Sequence, residues 1–336
     1  MANIKYNICV VTVTYGNRLA FLQQVLQSVV SHPLVSNVII VDNASDYDIE
    51  KEMLALADNK IILLKHTDNT GSAMGYHTGL KYAHTQTNAD FILLLDDDNV
   101  PDENTLNTLL ASWDNIEGAN STKALFCLRT DRKQHIKIAK GENPNRYYMI
   151  PDNFMGFHFL RIFKNQYNKL LDKFESQGTF ENAVKMPYVP YGGLFMHQDM
   201  IQKIGYPDEQ FFLYVDDSEY TYRVTSTGGT IWLIPEAKIN DVDKSQGIAY
   251  QKKMFRSQLL DLWNFRTYYH VRNRMYFYSK HTINNKFIFK LNKALFLLNL
   301  RIISKLSDKK TAYQKLRQAV DDGLNGRLGK ANPNNF

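Results

Sequence analysis

The stretch LLLDDDNVPD, Leu93 to Asp102, decides how this chain is read, because an apolar run stops there at three consecutive carboxylates. Phe91 to Leu95 is short, apolar and bounded by polar residues, the pattern of a central parallel strand covered on both faces. Asp96, Asp97 and Asp98 then fall at its carboxyl end, where open α/β sheets keep their ligand crevice. If the extended backbone continues, alternate side chains point the same way, so Asp96 and Asp98 face one site and Asp97 faces away. Two converging carboxylates repel unless a cation lies between them, and Mg2+ and Mn2+ prefer oxygen ligands. The stretch therefore predicts a metal and diphosphate site. The competing reading is helix capping, since Pro101 suits a first helical turn and Asp102 is expected to serve the helix start.

Around this stretch the first 130 residues alternate strand and helix. Strands are expected at Ile8 to Val13, Val38 to Val41 and Ile61 to Leu64, and helices at Arg18 to Val30, Ser72 to His84 and Thr105 to Trp113. Such alternation implies right-handed crossovers and a mostly parallel sheet. Thr14, Asp42 and the Asp96 cluster then arrive at one edge of that sheet, as a nucleotide crevice requires. Asp42 either accepts hydrogen bonds from a uracil or ribose or closes an Asx turn. In NTGSAMGYHTGL, Asn69 to Leu80, Gly71, Gly75 and Gly79 recur every four residues and share one helical face, open to close packing or to a ligand. The segment is neither a Walker loop nor a GxGxxG fingerprint, so ATP and NAD lose their usual support.

With 336 residues and 44% hydrophobic content, the chain can bury the core of one large domain, with or without an appendage. Cys9 and Cys127 lie in apolar runs and are expected as core thiols in a reducing compartment. The opening MANIKYNICVVTVTYGN has no secretory pattern, and no run of 18 apolar residues occurs, so a cytoplasmic protein is expected. The net charge of +6 is uneven: residues 250 to 330 hold 18 Lys or Arg against 4 Asp or Glu.

VTVTYGNR, VDNAS, NTGSAMGYHTGL and LLLDDDNVPD, in this order and spacing, resemble the nucleotide-sugar-binding half of family 2 glycosyltransferases. The resemblance implies the GT-A form of an α/β fold, a mostly parallel sheet flanked by helices. It assigns Thr14, Tyr15, Asp42, Asn69, Gly71, Asp96 and Asp97 to the donor. Tyr188 to Val224, YVPYGGLFMHQDMIQKIGYPDEQFFLYVDDSEYTYRV, resembles the acceptor half of the same family, whose acidic pair contains the catalytic base. By that match Asp217 is the expected base, and Asp216 is the expected helix cap and the reserve base. Gly192 and Gly193 break an apolar run, either to bring backbone amides to an acceptor sugar or as a bulge. Trp232, in a strand expected over Thr230 to Ile234, is also assigned to the acceptor. In many relatives a histidine follows that strand in a P-x-A-x-x-x-H pattern, and here the position is Asp241. It is expected as a metal ligand with Asp96 and Asp98, with Asp243 as a near neighbour. A solvated acidic loop is the other reading.

The segment FRTYYHVRNRMYFYSKH, Phe265 to His281, contains a YYxxRN element resembling that of family 2 galactofuranosyl- and rhamnosyltransferases. His270, Arg272 and Asn273 are thereby expected to border the diphosphate or the acceptor; a helix packed by its aromatics is the alternative. No RNA-recognition signature accompanies the basic residues, so nucleic acid is not an expected partner. From Asn285 to Lys310, Phe287, Ile288, Leu291, Leu295, Leu298, Ile302 and Leu306 make an apolar stripe, with Lys286, Lys290, Lys293, Arg301 and Lys305 largely off it. That pattern suits either an anionic membrane surface or packing on protein.

The expectation is thus a catalytic domain over 1–250, with its donor half at 1–130 and its acceptor half at 185–250, followed by a basic helical region over 251–336. The resemblance implies an inverting transferase that uses Mn2+ or Mg2+ and moves a sugar to a glycan or lipid-linked acceptor for bacterial surface polysaccharide. It would lie peripherally on the inner face of the cytoplasmic membrane. UDP-galactofuranose is the first donor choice and dTDP-rhamnose the second. A catalytically silent glycan- or membrane-binding protein is the alternative of another class.

Overall fold

The computed structural model of the chain describes residues 6–171, 178–243, 250 and 253–336. Packing divides the chain into two compact units, the first made of Met1–Pro144, Gly178–Glu209 and Asp216–Gln246, the second of Asn145–Gln177, Gln210–Val215 and Gly247–Phe336. Residues 145–171 and 210–215, grouped by sequence with the catalytic part, therefore pack in the second unit.

The strands are β1 (Ile8–Gly16), β2 (Val35–Ser45), β3 (Ile61–His66), β4 (Phe91–Asp96), β5 (Asn99–Pro101), β6 (Lys123–Arg129), β7 (Val184–Met186), β8 (Leu194–His197) and β9 (Thr230–Asp241). They form one sheet in the order β3-β2-β1-β4-β8-β6-β9-β5, with β7 also on β9. The β1, β2, β3 and β4 ladders are parallel, as is β6 with β9. The antiparallel ladders are short, three residue pairs each. The helices of this unit are α1 (Leu19–Val29), α2 (Ile49–Leu56), α3 (Gly71–Gln86), α4 (Thr105–Asn115), α5 (Lys133–Ala139), α7 (Asp199–Ile204) and α8 (Asp216–Ser226). Consecutive residues such as Val10 and Val11, Ile39 and Ile40, and Leu93 and Leu94 are all fully buried, so both faces of the central strands are covered. Cys9 and Cys127 are buried free thiols within this core.

Two sequence expectations change here. Pro101 does not open a helix; it ends β5, paired antiparallel with Ile239 of β9. Proline lacks the N–H a central ladder needs, and β5 is the edge strand where it is tolerated. Helix α4 starts at Thr105, and Asp102 instead accepts a 2.7 Å hydrogen bond from the Asn240 side chain. Gly75 and Gly79 also find their use: a Cβ there would lie 2.6 Å from Val13 and 2.4 Å from Val11, so they seat α3 against β1 rather than meeting a ligand.

The second unit holds α6 (Ile162–Leu171), α9 (Gln258–Asp261), α10 (Phe265–His281), α11 (Lys286–Leu306) and α12 (Lys310–Leu324) around its own core of Phe154, Tyr268, Tyr269, Val271, Phe289, Leu316 and Val320. Among the described residues, no helix is long and apolar enough to cross a membrane.

Candidate active site

The carboxylate cluster is assembled by strand register. Strand β9 carries a bulge where it passes β6, with Cys127 opposite Ile234 but Leu128 opposite Lys238. Pro235, which cannot donate to a ladder, lies inside it. The extra residues re-aim the strand toward β5, whose Asn99 then sits opposite Asp241. The expected loop after Ile234 is thus strand as far as Asp241, brought beside the end of β4.

The three aspartates do not alternate as an extended strand would place them. Strand β4 ends at Asp96, and Asp97 and Asp98 form a turn. Asp97 is buried, accepting from Thr14 Oγ1 at 2.8 Å and from Arg18 Nε at 2.8 Å. Asp98 turns to the same guanidinium, 2.5 Å from Arg18 Nη2, and accepts from Asn99 Nδ2 at 2.9 Å. Arg18 Nη1 reaches Asp243 at 2.8 Å, so one arginine bridges three carboxylates. A second arginine works from the other side. Arg129, nearly inaccessible at the end of β6, donates to Asp241 at 2.9 Å, to Asp131 at 3.1 Å and to Asn99 at 3.2 Å, and lies 3.7 Å from Asp96.

Burial still dominates the titration. It pushes Asp97 up to about 6 despite Arg18. Asp98 rises to about 7, through burial first and then repulsion from Asp96, Asp241 and Asp97. Asp241 is raised too, by burial that Arg129 only partly offsets. The Asp96 side chain is 41% exposed and accepts from Tyr76 Oη at 2.9 Å. Its separation of 3.7 Å from Arg129 is too long for a hydrogen bond, so this carboxylate faces solvent without a guanidinium clamped on it.

The second acidic element is α8. Asp216, the expected cap of this helix, instead accepts through Oδ2 from Ser72 Oγ of α3 at 2.9 Å. Asp217 accepts from the Ser218 N–H at 2.6 Å and from Ser218 Oγ at 3.1 Å. Both carboxyls titrate above the usual range. Burial is the main cause; repulsion from Asp217 adds to it for Asp216, and repulsion from Asp96 adds to it for Asp217. Asp96 and Asp217 therefore share one electrostatic environment. The Tyr191 ring, 4.0 Å from that of Tyr76, lies in the field of both α8 carboxyls.

Gly192 supplies the close approach. A Cβ there would lie 1.9 Å from Asn99 Oδ1 and 2.6 Å from Asp96 Oδ2. Gly193, at φ +102°, donates its amide to Leu94 O at 2.8 Å and accepts from the Cys127 N–H at 2.9 Å. Its amide serves the sheet, not a sugar.

The other expected donor residues are gathered around the ends of β1, β2 and α3. Asp42 is buried and its Oδ1 accepts from the Ser45 N–H at 2.8 Å, so it closes the Asx turn. Asn69 accepts from the Gly71 N–H at 3.0 Å, and Gly71, at φ +82°, opens α3. Tyr15 stands with the Arg18 guanidinium 5.5 Å from its ring centre.

Three expectations are corrected by position. Trp232 pairs with Leu125 and Lys185 near the start of β9, nine residues before Asp241, and its ring is covered by the Lys185 ammonium at 4.9 Å. At about 3.3 Å per residue, it lies far along the strand from the carboxylates. Arg272 and Asn273 are buried within the second unit. Asn273 Nδ2 donates to the carbonyls of Phe211, Leu213 and Tyr214 at 2.8, 2.8 and 2.9 Å, and Arg272 donates to the Phe211 and Gly329 carbonyls. They hold a loop in which Phe212, Tyr214 and Val215 all have positive φ, a conformation costly for side chains with Cβ. His270 remains exposed, its ring 6.2 Å from that of Tyr214.

Sequence reading misses Arg18 and Arg129. The local signal is faint: single arginines at or just after strand ends, one of them inside the quoted VTVTYGNR. For a divalent ion the oxygen donors are of the right type, but guanidiniums engage Asp98 and Asp241. Among the described residues no group of three or more His, Cys, Asp or Glu is arranged to hold a metal. As they stand, the three expected ligands do not form a cage.

The mixed α/β sheet flanked by helices has the GT-A fold. The structure is similar to that of GalNAc-T7 solved with UDP, GalNAc and Mn2+, at a TM-score of 0.54 and 12% identity, over 82% of this chain and 50% of that one. This chain thus spans about half the length of that protein. A mannosyltransferase from Pyrobaculum calidifontis, solved with GDP-Man and Mn2+, matches at a TM-score of 0.49 and 13% identity over 98% of this chain and 78% of its own. In sequence, the family model described as glycosyl transferase family 2 matches residues 9–173. A curated relative, the dTDP-rhamnosyl transferase RfbF of Shigella flexneri, is 24% identical over 327 residues, 96% of this chain and 97% of the relative.

Proposed function

We propose that this protein is an inverting glycosyltransferase that moves rhamnose from dTDP-rhamnose to a hydroxyl of a glycan or lipid-linked glycan acceptor on the cytoplasmic side of the membrane. The observation that carries the chemistry is the common field of Asp96, the solvent-facing carboxylate at the end of β4, and Asp217 at the start of α8. Burial makes Asp217 a stronger base than an ordinary aspartate, suited to near-neutral work. As the acceptor oxygen attacks the anomeric carbon, its proton passes to Asp217 and the bond from that carbon to the diphosphate oxygen breaks. A single displacement inverts the anomeric centre.

The leaving nucleoside diphosphate carries the developing negative charge. A divalent ion such as Mn2+ or Mg2+, when bound, would neutralise part of it. Asp96 is the residue proposed to hold that ion, with Asp98 and Asp241 joining only if Arg18 and Arg129 release them. The full-length likeness to a dTDP-rhamnosyl transferase favours dTDP-rhamnose. UDP-galactofuranose stands second: the YYxxRN element is common to both kinds of transferase and does not separate them, which leaves the likeness to the dTDP-rhamnosyl transferase to order the two donors.

The test is nucleotide release from dTDP-rhamnose, UDP-galactofuranose and other nucleotide sugars, with lipid-linked acceptor extracts and with Mn2+, Mg2+ or EDTA. Release from dTDP-rhamnose alone, lost in EDTA, supports the reading. Release from UDP-galactofuranose alone replaces the donor, activity retained in EDTA removes the ion, and silence with every donor replaces the enzyme by a binding protein.

A further inference from the structure

The apolar stripe of α11 faces outward. Phe287, Leu295, Leu298, Ile302 and Leu306 are between 38% and 74% exposed. The buried face of the same helix carries polar groups as well as Phe289 and Leu300: Asn292, fully buried, donates to Asp152 O at 2.8 Å and accepts from the Phe159 N–H at 2.9 Å. A helix that buries an amide and presents a row of large apolar side chains is patterned for something other than its own core. Beside the stripe, α11 and α12 enclose a groove of about 440 Å³. Arg301, Lys305, Lys310 and Arg317 line it together with Tyr313 and a single carboxylate, Asp321, which lies 3.6 Å from Lys293. None of those four basic side chains is ion-paired among the described residues. Arg301 and Lys305 are the chain neighbours of Ile302 and Leu306, so basic groove and apolar stripe adjoin.

We propose that α11 and α12 form a docking surface for an anionic lipid membrane, in which the stripe enters the acyl boundary and the groove takes a lipid phosphate. Charge selects this occupant. Residues 250 to 330 carry 18 basic against 4 acidic side chains, so a second copy would bring like-charged faces together, whereas an anionic bilayer offers both phosphate and an apolar interior. The inference stands on the second unit alone and does not rest on the donor or on the base.

The test is co-sedimentation of the full chain with phosphatidylcholine vesicles that contain or lack phosphatidylglycerol, with glycerol phosphate titrated separately in the absence of vesicles. Wild type is expected on the anionic vesicles only. R301Q/K305Q/R317Q should weaken that binding about a hundredfold, and L298S/I302S should also weaken it, with melting curves unchanged because all five positions are exposed. The single variant K305Q should lose about fivefold, which keeps the test sharp if the triple variant folds poorly. Equal binding to neutral vesicles, or full binding by the triple variant, would overturn the proposal. Glycerol phosphate bound as tightly as vesicles would make the groove a soluble-phosphate site instead. A lipid-free dimer in sedimentation velocity that L298S/I302S dissolves would assign the stripe to a second copy and overturn the lipid reading.

Discussion

Replacing Gly192 by alanine tests whether the carboxylate cluster is as tightly built as its geometry indicates. The backbone there does not have a positive φ, so alanine is conformationally acceptable and the cost comes from the added methyl alone. That methyl would sit 1.9 Å from Asn99 Oδ1 and 2.6 Å from Asp96 Oδ2, where real Cβ atoms essentially never come within 3.0 Å. The Asn99 amide must therefore retreat by about 1 Å, and Asp96 by less. Asn99 donates to Asp98 and accepts from Arg129, so the shift passes to both sides of the cluster. A misplacement of about 1 Å at a reacting centre costs about a hundredfold in rate, and overpacking of this kind costs about 1–3 kcal/mol in stability. Gly228→Ala is the control: its surroundings are empty within 4 Å, but its φ is +83°, so it should lose about 1 kcal/mol of stability with normal turnover. The assay is nucleotide release at saturating donor, paired with a thermal melt of each variant. If Gly192→Ala lowers the melting temperature yet keeps turnover within about threefold of wild type, the argument that this contact positions Asp96 is refuted.

Asp217→Asn should lower turnover by about 10²–10⁴-fold with donor affinity by calorimetry nearly unchanged, and wild-type turnover should rise with pH as this raised carboxyl loses its proton; a flat pH profile would exclude it as the base. Asp216→Asn should stabilise the protein relative to wild type increasingly as pH rises. The raised folded pKa means that the neutral carboxyl stabilises fully below its unfolded value of about 4 and that this contribution is lost as pH climbs through the folded value. A melting-temperature difference constant from pH 5 to 9 would contradict that assignment. Asn273→Ala leaves three carbonyls without their shared donor in a loop with positive φ, and should cost about 2–4 kcal/mol in urea unfolding; a loss below about 1 kcal/mol would mean the loop holds itself.

Much of the first unit was legible without coordinates. Runs such as Ile8 to Val13 and Phe91 to Leu95 encode strands locally, and their order encodes the parallel sheet through the crossover rule. The placement of Asp96 follows from the same logic, because a carboxylate that ends a central strand must emerge at the sheet's edge. Expectations that rely on a few adjacent residues fare less well. Pro101 reads as a helix start because its fixed φ suits one, yet the same φ and missing N–H also suit an edge strand, and only the partner strand separates the two. YYxxRN reads as a ligand element because arginine and asparagine suit diphosphates and sugars, yet the same donors satisfy backbone carbonyls when a strained loop is packed against them.

The sequence by itself determined the alternation of strands and helices, the arrival of carboxylates at one sheet edge, and the spacing that puts the α11 apolar residues on one face, since each depends on backbone periodicity over a few neighbouring residues. Tertiary structure alone decided that Arg18 closes on Asp97, Asp98 and, 225 residues away, Asp243; that Arg129 claims Asp241; and that the α11 stripe turns outward. Those outcomes depend on which strands pair and in what register, and on which face of a helix finds a core to cover. Ion pairs between such distant residues leave no periodic trace in the chain.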